Sequence, residues 1–185
     1  MHSTLAFELW PGTRDSLIAK TLLVIAGSAL LAISAKVQVP FWPVPMTMQT
    51  FVVLVLGMTF GFRLASVTGA LYLLEGALGL PVFAKGAGLA YLMGPTGGYL
   101  VGFLVAMAVM GYLANRGWDR AVLTTLAAML IGDALIFLFG VGWLATVVGT
   151  TKALTLGLTP FIAAEIFKII LAVITLPLVW RLIRR

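Results

Sequence analysis

The sequence predicts an all-α integral membrane protein of six transmembrane helices. The first observation is composition. Of 185 residues, 62% are hydrophobic and only 10% are charged, against about 25% charged in ordinary soluble domains. A small soluble protein has to cover its surface with polar groups, and this chain has too few. The second is run length: the apolar stretches reach the roughly 20 residues that carry a helix across a bilayer. The third is the placement of basic residues, which segregate to one side only when six spans are counted.

The first apolar run covers about residues 16–39. It ends at Pro40-Phe41-Trp42-Pro43-Val44-Pro45, whose three prolines cannot continue a helix. The second run covers about 47–62 and the third about 63–78, with Gly61-Phe62-Arg63 between them. Both are short, so they are expected to sit partly inside the protein. A long loop follows, with Gly79, Pro81, Gly86, Gly88, Gly94 and Pro95. The fourth run, about 97–115, starts at Gly97-Gly98, and the fifth covers about 120–141. A Gly/Thr-rich connection leads to Thr159-Pro160, which reads as an N-cap with proline at the first helical position. The sixth run covers about 160–182 and ends in a basic tail. Six spans use roughly 120 residues, leaving short loops and one membrane domain over residues 1–185.

With six spans, Arg14, Lys20, Arg63, Arg116, Arg120, Arg181, Arg184 and Arg185 fall on one side. Lys36, Lys85, Lys152 and Lys168 fall outside it or in the outer half of a span. Basic loops stay in the cytoplasm, so both termini are predicted cytoplasmic. The net charge of +6 therefore reports topology and not nucleic-acid binding. The chain has no cysteine and one histidine, His2, in the N-terminal tail, so disulfides, thiol catalysis and a buried histidine metal cluster are excluded. Glu8, Arg14 and Asp15 interrupt the N-terminal stretch, unlike a cleaved signal. The absence of a convincing internal repeat weighs against an inverted-repeat secondary transporter.

Charges inside a span are costly and normally face a cavity or a partner. Here they are Glu75, Asp133, Glu165 and Lys168. At 1.5 Å per residue Lys168 and Asp133 lie about 12 Å, and Glu165 about 8 Å, from the outer ends of their spans. Glu75 is near the outer end of its own. Glu165 and Lys168 are three apart and share a helix face. They form either a structural ion pair between helices or part of an outward-open polar pocket. The second reading gains from their common depth and from the outer loops. Gly94-Pro95-Thr96-Gly97-Gly98-Tyr99 opens a helix, and free amides at a helix start favour an anionic group; the same residues also suit a plain turn. Trp42 between prolines is either an interfacial anchor or a rigid lid, and Phe41, Phe83 and Tyr91 pose the same choice. Trp10 and Trp180 read as anchors near the cytoplasmic ends. Gln49 is a pocket or an interhelical hydrogen-bonder. Ser28, Ala32 and Ala35 share one smooth face of the first span, suited to close packing within the bundle or to docking against another membrane protein.

Four segments taken together resemble the BioY family, the biotin-specific S components of energy-coupling-factor (ECF) transporters. They are Val39-Pro40-Phe41-Trp42-Pro43-Val44-Pro45-Met46-Thr47-Met48-Gln49-Thr50; Leu71-Tyr72-Leu73 with Gly79-Leu80-Pro81-Val82-Phe83-Ala84; Gly94-Pro95-Thr96-Gly97-Gly98-Tyr99-Leu100-Val101-Gly102-Phe103; and Pro160-Phe161-Ile162 through Lys168. They occur in the family's order and run from span one to span six. The resemblance implies the six-helix ECF S-component fold in a bacterial-type cytoplasmic membrane. It also implies an outward biotin pocket near loops one and three and helices four to six. Its implied partners are a transmembrane coupling protein and two ATPase subunits. Nothing in the chain reads as a P-loop, so ATP-driven work falls to other chains. Where the family typically carries an Asp three residues before the last-helix Lys, this chain has Glu165. For the family's Ala-x-x-x-Ala docking motif it has Ser28-x-x-x-Ala32.

The expected substrate-binding set is Trp42, Gln49, Glu75, Phe83, Lys85, Gly97, Gly98, Tyr99, Asp133, Glu165 and Lys168, with Ser28, Ala32 and Ala35 expected at the docking face. Biotin's valerate suits Lys168, Lys85 or the start of helix four. Its ureido N–H groups suit Asp133 or Glu165. Its fused rings suit aromatic and aliphatic walls. No metal or cofactor is expected besides the ligand, and the chain is expected to sit in membrane lipid. Solitary or homo-oligomeric action, an S component for another vitamin and a membrane-embedded enzyme stay open. The last would have only Asp133 with Lys168 as an acid/base pair, and no recognised catalytic motif.

Overall fold

A short helix, α1 (Leu5–Leu9), and a 3-10 turn at Pro11–Thr13 lead to Ser16. Ser16 is extended and its hydroxyl accepts the Ala19 amide at 3.2 Å, the standard way to satisfy an orphan donor at a helix start. It opens α2 (Leu17–Lys36). The computed structural model describes residues 3–183; Arg184 and Arg185, expected at the basic end, and His2 lie outside them. After α2 comes a two-stranded antiparallel hairpin, β1 (Gln38–Val39) with β2 (Met46–Thr47), pairing Gln38 with Thr47 and Val39 with Met46. Its tip holds a cis Trp42–Pro43 bond.

Helix α3 (Gln49–Ala77) follows, with one residue inside it far from helical geometry: Gly61, at φ 74°, ψ 173°. Only glycine holds that backbone without strain. The chain reverses there. The Gln49 amide donates to the Tyr72 hydroxyl at 2.7 Å, two residues that a straight helix would hold about 34 Å apart. The expected second and third runs are thus two arms of a helical hairpin joined by a single residue. Phe62 N, the first free amide past the turn, donates to Asn115 Oδ1 at 2.9 Å.

The remaining elements are α4 (Leu89–Leu92), α5 (Gly97–Asn115), α6 (Val122–Val148), α7 (Thr150–Gly157) and α8 (Ile162–Ile183). Among the described residues five helical stretches are long and apolar enough to cross a membrane, the last being Thr150–Ile183. With α3 folded at Gly61, the apolar helical segments number six. Helix α6 runs seven residues past the expected end at Val141, and the Gly/Thr-rich connection is itself the helix α7. Thr159 does not cap α8: its hydroxyl bonds back to Leu154 O at 3.1 Å, inside a 3-10 turn.

The α3 hairpin is the hub and packs on α2, α5, α6 and α8. It approaches α5 backbone to backbone. A Cβ on Gly111 would stand 2.5 Å from the Gly61 carbonyl carbon, and one on Gly57 would stand 2.6 Å from Met110 Cβ. Such close approach is how helices associate where lipid supplies no hydrophobic drive. Met58, Met107, Met110, Met129 and Ile136 are fully buried at this junction.

A candidate ligand pocket beneath two stitched loops

One end of the bundle gathers the end of α2, both tips of the α3 hairpin, the starts of α5 and α8, and the far half of α6. Lys168 and Glu165 lie there on one face of α8, 6% and 3% exposed. The Lys168 ammonium donates to Glu165 Oε1 at 2.7 Å, to Thr50 Oγ1 at 2.8 Å and to the Thr47 carbonyl at 2.7 Å. Those three bonds use all three donors of an ammonium. Thr50 in turn donates to Glu165 Oε1 at 3.0 Å. The other carboxylate oxygen, Glu165 Oε2, is buried and has no partner. The Asp133 carboxyl lies within hydrogen-bonding reach of Glu165, yet among the described residues no bond to Oε2 is formed, and a buried oxygen left so is expensive.

Glu165 reaches a pocket enclosing about 480 Å³ of empty space, its open mouth included. Aromatic side chains wall it: Tyr91, Tyr99, Phe103, Phe137 and Phe161, with Leu100 and Val44. Phe137 meets Tyr99 and Phe161 edge-on, centroids 5.9 Å apart in both pairs. Polar groups enter at Thr47, Gln49, Thr50 and Thr96. A largely apolar cleft with a few placed polar groups is the usual form of a small-molecule site.

The roof is stitched. Lys36 Nζ donates to Phe83 O at 2.6 Å, Gln38 Nε2 to Ala84 O at 3.2 Å, and Lys85 Nζ to Phe41 O at 3.2 Å. Below, the Tyr72 hydroxyl accepts from Gln49 and donates to Val82 O at 3.1 Å. The loop after α3 is therefore tied both to the β-hairpin and to the hairpin helix. Phe83 is its buried anchor, stacked on Tyr91 at 5.2 Å and pressed where a Cβ on Gly76 would clash.

Of the residues expected from sequence, Gln49, Tyr99 and Glu165 line the pocket, and Lys168 sits directly behind Glu165. The Tyr99 hydroxyl is engaged with Gly157 O at 2.7 Å, so this residue presents its ring. Phe83 forms a second layer behind Tyr91 and does not line the pocket. Lys85 is exposed on the roof, and Trp42 points away, 72% exposed. Gly97 and Gly98 serve packing: a Cβ on Gly97 would strike Leu92 O, and one on Gly98 would strike Trp143 and Phe139 O. Asp133 is half-buried outside the lining, within electrostatic reach of Glu165 and Lys168, and its Oδ1 has no bonding partner. Glu75 lies away from the pocket and accepts a hydrogen bond from Ser28. That bond also places Ser28 inside the bundle; Ser28 and Ala35 are fully buried. Ser28 and Ala35 of the small face pack against the bundle, where Gly27 on the same side lets Phe60 and Thr68 close in, and Ala32 stays half-buried.

Sequence reasoning singled out Thr47 and Thr50 only as part of a segment, and assigned no role to Phe103, Phe137 or Thr96. Thr50 had no local signal, since its partner is 115 positions away.

Comparison with known proteins agrees with this geometry. The model of the BioY family matches residues 5–185. A relative from Pyrococcus horikoshii named probable biotin transporter BioY is 41% identical over 153 residues, covering 82% of this chain and 90% of that one. The biotin transporter BioY of Thermotoga maritima is 37% identical over 154 residues, covering 81% and 90%. A crystal structure of the S-component for biotin from an ECF-type ABC transporter superposes with a TM-score of 0.73 over 91% of this chain and 92% of the other; at 22% identity this speaks for the fold. The match runs through both loops and every helix described above, and the chain belongs to the BioY family.

Proposed function

We propose that this protein binds biotin and is the substrate-specific membrane subunit of a biotin uptake system. The family makes it a multi-pass transport subunit and not an enzyme. The observation that carries the ligand reading is Glu165 Oε2, an unpartnered buried acceptor beside an aromatic pocket. A ureido N–H is a donor of the right kind for it. A bond to a charged acceptor is worth about 1.5–3 kcal/mol. The fused rings then lie among Tyr91, Tyr99, Phe103, Phe137 and Phe161. The valerate points to the mouth, where Thr96 opens α5 and Lys85 stands on the roof. Lys168 acts through Glu165: with all its donors engaged, it holds the carboxylate in place and does not reach for the valerate.

The same reading takes all six helical segments as membrane-crossing, with the arginine-bearing end in the cytoplasm and the pocket facing out across the cytoplasmic membrane. It takes a coupling protein and ATPase subunits as the source of energy. The test is ligand identity. Purified protein should release biotin on denaturation and be stabilised thermally by biotin but not by thiamine or riboflavin, through binding linkage. Stabilisation by a different vitamin alone would keep the fold and overturn the substrate.

A further inference from the structure

The opposite end of the bundle holds a second, larger cavity around the Gly61 turn, between the starts of α1 and α2, the elbow of α3 and the end of α5. Arg14, Lys20, Arg63 and Arg116 all line it, and no carboxylate does. Arg14 pairs with Glu8 at 2.9 Å. Among the described residues Lys20, Arg63 and Arg116 have no ion pair. Arg116 instead lies over the Tyr112 ring, 4.6 Å from its centroid. Phe7, Phe60 and Leu64 supply the apolar part of the wall, and Phe62 and Tyr112, 49% and 47% exposed, also line it. Beside them the outer face of α2 is bare hydrocarbon at Leu17 and Ile18, 78% and 76% exposed.

We infer that this cavity binds the headgroup of an anionic phospholipid, its phosphate among Lys20, Arg63 and Arg116 and its chains leaving over Phe62 and Tyr112. Uncompensated cations draw an anion. The cavity's water-accessible volume of about 1090 Å³ is far more than a free phosphate fills, and its apolar rim joins the lipid-facing surface of the helices. Basic pockets of this form between membrane helices recognise acidic headgroups. The argument holds in either leaflet and does not depend on what the first pocket binds.

The test is native mass spectrometry of the full chain released from vesicles of phosphatidylcholine with phosphatidylglycerol. The wild type should retain phosphatidylglycerol in preference to phosphatidylcholine. Arg63→Ala/Arg116→Ala should weaken that retention about thirtyfold, at about fivefold per basic residue, and Arg63→Lys/Arg116→Lys should keep most of it. Thermal midpoint measured alongside shows that the variants are folded. Equal retention of the two lipids by the wild type would overturn the proposal. So would competition by millimolar inorganic phosphate, which marks a site for free anions.

Discussion

Replacing Lys168 by Met removes an ammonium that is bonded to Glu165, Thr50 and the Thr47 carbonyl within 2.8 Å, at a site where its side chain is 7% and that of Glu165 4% exposed. The methionine fills much the same volume, so packing changes little. What remains is a buried carboxylate without its counter-ion, held by the Thr50 hydroxyl alone. Breaking a buried pair from one side costs about 3–5 kcal/mol, whereas replacing both partners with apolar groups is often close to neutral. Lys168→Met should therefore lower stability by about 3–5 kcal/mol, and Lys168→Met/Glu165→Leu should regain most of that loss. Glu165→Leu alone should also be costly, since it strands the ammonium. The assay is denaturant or thermal unfolding of the detergent-purified protein, treated as a double-mutant cycle, with biotin binding followed separately. Binding should fail in all three variants, because the carboxylate is either displaced or absent. Additive losses in the double variant would refute the reasoning, as would full-affinity biotin binding by Lys168→Met.

Glu165→Gln keeps the shape but gives a neutral acceptor, and biotin affinity by calorimetry should fall about tenfold or more. Trp42→Ala should shift affinity no more than about twofold, as an exposed side chain off the pocket. Gly61→Ala puts a Cβ 2.6 Å from Thr4 Cγ2 on a backbone that favours glycine and should cost about 1–3 kcal/mol in unfolding. Glu8, outside the membrane, has its pKa lowered first by the Ser3 hydroxyl and then by the Arg14 guanidinium. Its contribution to stability is full above the ordinary carboxylate range and fades as pH falls through the lowered value. The thermal-midpoint gap between wild type and Glu8→Gln should hold above about pH 5 and close below it.

Much of this was legible in the chain because it is local. Three residues between Glu165 and Lys168 put them on one helix face, and Pro40 through Pro45 ended the first span. What stayed hidden needed partners distant in sequence. Glu75 read as a pocket charge until Ser28, 47 positions away, proved to be its partner. Gly97 and Gly98 read as room for a ligand, and only the neighbouring α4 and α6 show that Leu92 and Trp143 take that room. Phe83 reads as a ligand contact or an interfacial anchor, but the loop folds inward on Gly76, which sets the ring one layer behind the pocket wall. A lone glycine between two short runs marked a boundary. It did not reveal that the boundary is a hairpin with no loop.

That loopless elbow bears on the membrane itself. The first arm, from Gln49 to Phe60, rises only about 18 Å at 1.5 Å per residue, against a hydrocarbon thickness of about 30 Å. No slack exists to lengthen it, since the next arm begins one residue later. The arm is shielded instead: no residue from Gln49 to Phe60 is exposed, so neighbouring helices cover it and not lipid. The length mismatch is thus absorbed inside the protein, and the longer helices around the arm present the apolar surface.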